Sequence, residues 1–181
     1  MADQPPPSPA FYEALLRWTH VLAGIMWIGH LYYFNFTQIP NVPKIPEEHR
    51  GPAISKVIAP AALFWFRWGA MFTLITGLLL AWNQNYLWQA LTIGAADVPS
   101  FASPKTIFIG IGMWLAIIMW FNVWFIIWPN QQKALGIGEV NAALPAEVKA
   151  KSARTAMLFS RTNTFLSVPM LVAMTGASTL F

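Results

Sequence analysis

Not one of the 181 residues is cysteine. The chain therefore holds no disulfide, no Cys-ligated iron–sulfur cluster and no Cys-x-x-Cys-His site for covalent haem. Charge is scarce as well. Asp, Glu, Lys and Arg make up 10% of the residues, against about 25% in soluble domains, which is too little to keep a globule in water. The seven carboxylates form no pair inside an apolar stretch. No nucleophile elbow, phosphate loop or metal-spaced acidic cluster occurs, so a hydrolase or a proton pump has nothing to stand on. A basic stripe is missing too. The net charge of +4 and the pI near 9.6 arise from residues scattered between apolar runs, which excludes nucleic acid as a partner because nothing is arranged to neutralise phosphates.

What the chain does have is apolar length. It is 56% hydrophobic, with 10 Trp and 13 Phe and a mean hydropathy of +0.49. A helix crossing the hydrocarbon needs about 20 mostly apolar residues. Four stretches supply them, at about 13–36, 63–82, 107–128 and 162–180, with the second able to continue toward Trp88. The predicted fold is all-α, an integral membrane four-helix bundle over 13–181 behind a disordered tail at 1–12. That tail lacks the basic segment of a cleaved signal, so the first helix is expected to insert uncleaved. Pro129 is expected to stop the third span and Pro169 to kink the fourth. Residues 40–60, with five prolines, read as an exposed loop. Pro145 suits a first helical position, and the basic stretch 146–158 reads as a helix running into the fourth span. Lys and Arg cluster in the first and third connections and leave the second nearly bare. The positive-inside rule then places those two connections in the cytoplasm and both termini outside.

Two of the three histidines, His20 and His30, lie in the first span. An ionisable group at membrane depth is a functional-site hypothesis by default. Ten residues of helix rise about 15 Å and turn about 1000°, leaving the two rings roughly 80° apart. They cannot share one metal. Each is a candidate axial ligand of a haem b or related tetrapyrrole, and so a candidate metal ligand. No other span offers an imidazole. The remaining sixth ligands are Met113 or Met119 in the third span, Met71 in the second, a partner subunit, a second copy of the chain, or none, since one axial His is enough for some haems. The bland alternative is that each His donates to a backbone carbonyl. Gly24 and Gly29, beside the histidines, would let a neighbouring helix or a flat ring come close. Arg67 is expected to snorkel to the interface or to pair with a propionate or an anionic lipid headgroup. Asn122 and Asn163 read as helix–helix hydrogen bonds, and His49, among charged residues, as a solvated loop residue. Trp18, Trp65, Trp68, Trp82, Trp88 and Trp128 suit an aromatic belt. Trp27, Trp114, Trp120 and Trp124 lie deeper, against a flat cofactor or in helix interfaces.

Four stretches are familiar in combination. They are Arg17-Trp-Thr-His20-Val-Leu-Ala-Gly-Ile-Met-Trp-Ile-Gly29, then Ala59-Pro-Ala-Ala-Leu-Phe-Trp-Phe-Arg-Trp68 with Thr76-Gly-Leu-Leu-Leu80, then Asn122-Val-Trp-Phe-Ile-Ile-Trp-Pro-Asn-Gln-Gln-Lys133, and finally Lys149 to Arg154 through Asn163-Thr-Phe-Leu-Ser-Val-Pro169. In this order they resemble the membrane domain of the bacterial membrane-bound urate oxidase (urate hydroxylase) family. The resemblance implies a helical domain of the bacterial inner membrane followed by a periplasmic c-type cytochrome. It also implies electron flow from urate toward the respiratory chain, with His20 as the haem contact. The present chain is expected to be a shortened version without the cytochrome module. Three readings follow. The first is a cofactor-binding subunit that serves electron transfer with other membrane subunits or a second copy. The second is a cofactor-free structural accessory subunit of a larger respiratory or photosynthetic complex. The third is a self-standing urate oxidase.

Overall fold

A computed structural model describes residues 9–181, and all its regular structure is helical. Six helices follow one another among the described residues. Helix α1, Pro9–Tyr32, continues through a wider π-helical stretch, Tyr33–Gln38, into Ile39–Asn41. Helix α2 is Glu47–Asn83, α3 is Leu87–Leu91, α4 is Pro104–Leu135, α5 is Glu139–Ala142 and α6 is Ala146–Thr179. Two of them, α2 and α4, are long and apolar enough to cross a membrane. The start of α1 at Pro9 lies ahead of the expected 13, and residues 1–8 of the expected tail are outside the described residues.

Several local expectations hold and others yield. The basic stretch after Pro145 does run unbroken into the last long helix, with Pro169 inside it. The proline-rich stretch 40–60 is mostly helical rather than an irregular loop. Pro40 and Pro60 each come two residues after a π-helical stretch inside a continuing helix, and Pro43 sits in the first turn of a short 3-10 segment. Pro129 does not stop its helix. Upstream, Asn122–Ile127 is π-helical and the Trp128 N–H bonds the Val123 carbonyl, so Pro129 falls in the first turn of the resumed α-helix. The true stop is Gly136, left-handed at φ 67°. There Ile137 N–H bonds Gln132 O at 2.9 Å and Gly136 N–H bonds Lys133 O at 3.3 Å, the paired bonds of a Schellman ending. At the other end of α4, Ser103 Oγ accepts the Thr106 N–H at 3.2 Å and Pro104 follows it.

Helices α1 and α2 lie antiparallel and close. A Cβ on Gly69 would stand 3.0 Å from the Trp27 backbone nitrogen, so only glycine lets the backbones approach this far. Helices α4 and α6 form a second antiparallel pair. Asn122 Nδ2 donates to Asn163 Oδ1 at 2.8 Å, and Asn163 Nδ2 donates to Met119 O at 2.9 Å, both fully inside the protein. The α1 helix reaches α6 through polar contacts as well. Asn35 Nδ2 donates to Ser160 Oγ at 2.8 Å. The Tyr32 hydroxyl lies 2.9 Å from Ser167 Oγ, which spends its own proton on Thr164 O at 2.7 Å and so accepts from the tyrosine. Around these bonds the two pairs share one apolar cluster of Trp27, Leu31, Phe34, Leu63, Phe66, Met119, Val123 and Ile127.

The distribution of polarity on α6 is inverted relative to a water-soluble helix. Its buried face carries Ser152, Ser160, Asn163 and Ser167, while Phe165, Val168 and Val172 are exposed. Leu15, Val21, Leu22 and Ile25 on α1 are likewise exposed.

Candidate functional site

The histidines land where their helical spacing requires, on two faces of α1. His20 turns toward α2. Its Nδ1 lies 3.0 Å from Thr73 O and 3.2 Å from Thr76 Oγ1, and its ring rests against Gly77, where a Cβ would come within 2.9 Å of Cε1. These contacts settle the proton. A carbonyl oxygen only accepts, so Nδ1 of the neutral ring must carry the hydrogen, and Nε2 keeps its lone pair. The Thr76 hydroxyl donates to Phe72 O at 2.6 Å, which frees its oxygen to accept from the same Nδ1–H. A ring whose Nδ1–H is tied to a carbonyl is oriented in the way metal-ligating histidines are oriented by their outer partners.

His30 has the same tautomer by a different route. Its Nδ1 donates to Met26 O one turn back along its own helix, at 2.7 Å. The ring lines an open groove of about 550 Å³ between α1 and the start of α2, bordered by Leu22, Ile25, Met26, Gly29, Tyr33, Ile58 and Ala62.

The expected ligands come together only in part. Met119 is fully buried in the shared apolar cluster and Met113 is buried on α4. Neither is among the groups found around His20 or lining the His30 groove. Arg67 is held by aromatic faces instead of an acid. Its guanidinium carbon stands 3.8 Å from the centroid of Trp128 and 5.2 Å from that of Trp124, an arrangement worth about 0.5–2 kcal/mol. Its Nε is buried with no hydrogen-bond partner. Gly24 meets the Thr73 side chain, so the neighbouring helix takes up that space. Trp27 is a core residue, 1% exposed, whereas Trp18, Trp65, Trp82 and Trp88 point outward. The Trp114 indole N–H caps Leu91 O at 3.0 Å, which ties α3 to α4.

Among the described residues no three His, Cys, Asp or Glu side chains gather to hold a bare metal ion. A metal at His20 or His30 would need to arrive inside a ring that brings its own equatorial ligands. Sequence reasoning missed the partners that fix the rings. Thr73, Thr76 and Gly77 carry no motif of their own, and only the antiparallel packing of α1 on α2 brings them to His20. Tyr33, three residues after His30, was legible as sharing its face.

Near the opposite end of the α1–α2 pair, Glu13 accepts from Arg17 at 2.5 Å and from Gln84 Nε2 at 2.6 Å. Beside them burial pushes the Tyr86 phenol above its ordinary pKa, with Arg17 opposing the rise and Glu13 adding to it.

Residues 90–179 match the urate oxidase N-terminal family. No curated protein and no solved structure matches the chain.

Proposed function

Because residues 90–179 belong to the urate oxidase N-terminal family, we propose that this chain is a bacterial inner-membrane subunit that holds a haem b or related tetrapyrrole through His20 and serves electron transfer with partner subunits. The observation that carries the reading is the His20 tautomer. With Nδ1–H bound to Thr73 O at 3.0 Å, the ring needs no proton loss to present Nε2 as a ligand, and the bond to α2 holds its plane. Met113 and Met119 are buried on α4, so any further ligand would come from Met71, a second copy or a partner subunit. A tetrapyrrole held there would supply one-electron redox chemistry. The protein's part is to hold the ring by one imidazole and to exclude water with apolar helix faces.

The inverted polarity of α6 supports a four-span bundle. Ser160, Asn163 and Ser167 face inward and hydrogen-bond other helices, while Phe165 and Val172 face outward, the arrangement that lipid favours and water does not. The charge pattern supports the orientation. Lys44, Arg50 and Lys56 lie between α1 and the apolar part of α2, and Lys133, Lys149, Lys151 and Arg154 lie between α4 and the apolar part of α6. Both groups belong on the cytoplasmic side, with Ala10 and Phe181 toward the periplasm.

A visible spectrum of the detergent-purified chain, expressed with ample haem supply, tests the reading. The expected result is a Soret band that is lost in His20→Ala and kept in His30→Ala. A fully loaded preparation with no Soret band overturns it. The second reading, a cofactor-free accessory subunit, is favoured by the fact that both His20 bonds also staple α1 to α2. It predicts a colourless chain that co-purifies with a larger membrane complex.

A further inference from the structure

The groove at His30 has a chemistry of its own. Its walls are aliphatic: Leu22, Ile25 and Met26 on α1, Ile58 and Ala62 on α2. Leu22, Ile25, Met26 and Ile58 are exposed, so the groove opens to the surface that faces lipid in the proposed bundle. Gly29 leaves it a bare floor, because a Cβ built there would have no neighbour within 4 Å. The backbone on both sides is unusual. Tyr33 begins one π-helical stretch and Ile58 ends another, and such widened turns recur at functional sites.

Two side chains with polar ends line this apolar slot. The first is His30, whose Nδ1–H is committed to Met26 O, so its distal Nε2 accepts and does not donate. The second is the Tyr33 hydroxyl, which makes no hydrogen bond among the described residues and either donates or accepts. The groove lining contains no Lys or Arg, which disfavours any ligand carrying carboxylates or phosphates. The complementary ligand is lipophilic, flat enough to lie on Gly29 between two helices, and bears a hydroxyl to donate to Nε2 plus a second oxygen for Tyr33.

We propose that the groove between α1 and α2 at His30 and Tyr33 is a binding site for a membrane-soluble hydroquinone, entered sideways from the bilayer. One phenolic hydroxyl donates to His30 Nε2 and the other oxygen bonds Tyr33. The oxidised quinone, which only accepts, loses the His30 bond and keeps at most the one to Tyr33, so the site favours the reduced carrier. The inference goes beyond the proposed tetrapyrrole at His20 and depends on different atoms.

The test uses the full chain in lipid nanodiscs, with saturable quenching of its intrinsic fluorescence read against empty nanodiscs. The probes are a decyl-substituted benzoquinol, the matching quinone, and the quinol's dimethyl ether, which keeps the flat ring and loses both donors. One hydrogen bond is worth about a factor of ten, so the quinol is expected to bind about tenfold more tightly than the ether. His30→Leu is expected to abolish that preference while the ether's affinity stays unchanged. Ile58→Trp, which fills the slot without touching the imidazole, is expected to weaken both. Equal wild-type affinities for quinol and ether overturn the proposal, as does a preference that survives His30→Leu. Loss of a Soret band in His30→Leu also overturns it, because the imidazole would then be an axial ligand. Binding is scored whether or not the preparation carries a Soret band, so failure here and failure of the His20 reading are separate results.

Discussion

Replacing Gly77 by alanine should break the geometry at His20, and the structure sets the size of the effect. The added Cβ would stand 2.9 Å from His20 Cε1 and 3.3 Å from Nδ1, where an unstrained carbon–carbon contact lies near 3.5–4.0 Å. The ring must retreat by about half an ångström or more. It cannot do so freely, because Nδ1 is held by Thr73 O at 3.0 Å, an ordinary length, and by Thr76 Oγ1 at 3.2 Å, already at the long end. Losing the shared Nδ1–H bond costs about 1 kcal/mol, and forcing a methyl into a packed interface costs about 1–3 kcal/mol. Against this, alanine improves on glycine within a helix by about 1 kcal/mol. The net expectation is destabilisation by about 1–3 kcal/mol. Gly29→Ala is the control, since its Cβ meets nothing within 4 Å and only the helix preference of about 1 kcal/mol in favour of folding remains. Thermal unfolding of both variants in one detergent gives the comparison. A His20→Ala/Gly77→Ala double variant removes the clash and should be more stable than the two single effects summed. If Gly77→Ala stabilises the protein as Gly29→Ala does, the packing of His20 on α2 is not as described.

Four further outcomes are expected. Asn163→Ala leaves the Asn122 side-chain donor unpaired and removes the side-chain bond to Met119 O, and a double-mutant cycle with Asn122→Ala should give a coupling of about 0.6–1.7 kcal/mol in unfolding measurements; a coupling of zero would contradict the pair. Gly136→Ala puts a side chain at φ 67° and should lower unfolding stability by about 1–2 kcal/mol without changing the spectrum. In Gly110→Ala the new methyl would overlap the Ala90 carbonyl oxygen and lie 3.0 Å from Ile93 Cα. Backbone cannot step aside as a side chain can, so α3 should detach from α4, seen as proteolytic cleavage near Leu87–Leu91. The Tyr86 phenol is raised by burial, so the folded state holds its proton more tightly than the unfolded chain, whose phenol titrates near 10. Its contribution is present below about pH 10 and is lost as pH rises through the folded value, and Tyr86→Phe should flatten the alkaline fall in stability seen by denaturant titration.

Much of this architecture was legible because it is local. Helix needs only backbone bonds within a few residues and an apolar stretch of the right length, so the four apolar segments, the run from Pro145 into the last helix and the Asn122 and Asn163 helix contacts could be read directly. The errors were local as well but turned on backbone register. Pro129 passes without breaking its helix because a π-helical stretch just upstream shifts the accepting carbonyls by one residue, and Pro40 and Pro60 follow π-helical stretches at the same two-residue spacing. No composition rule reports a one-residue shift of that kind.

The site divides along the same line. That His20 and His30 lie on different faces of one helix, too far apart for a common ligand, is a consequence of 3.6 residues per turn and belonged to the sequence alone. Which nitrogen of each ring carries the proton was decided by its surroundings. For His20 the deciding acceptor is the Thr73 carbonyl, 53 residues away on another helix. Arg67 shows the same dependence. Its cation could have sought a propionate or a lipid headgroup, and only the packing of α4 on α2 laid two indoles against it. Sequence determines which groups a helix carries and at what height and azimuth along it. Hydrogen-bond donors, acceptors and aromatic faces find partners only across helices, where separation in the chain counts for nothing and a few tenths of an ångström decide the contact.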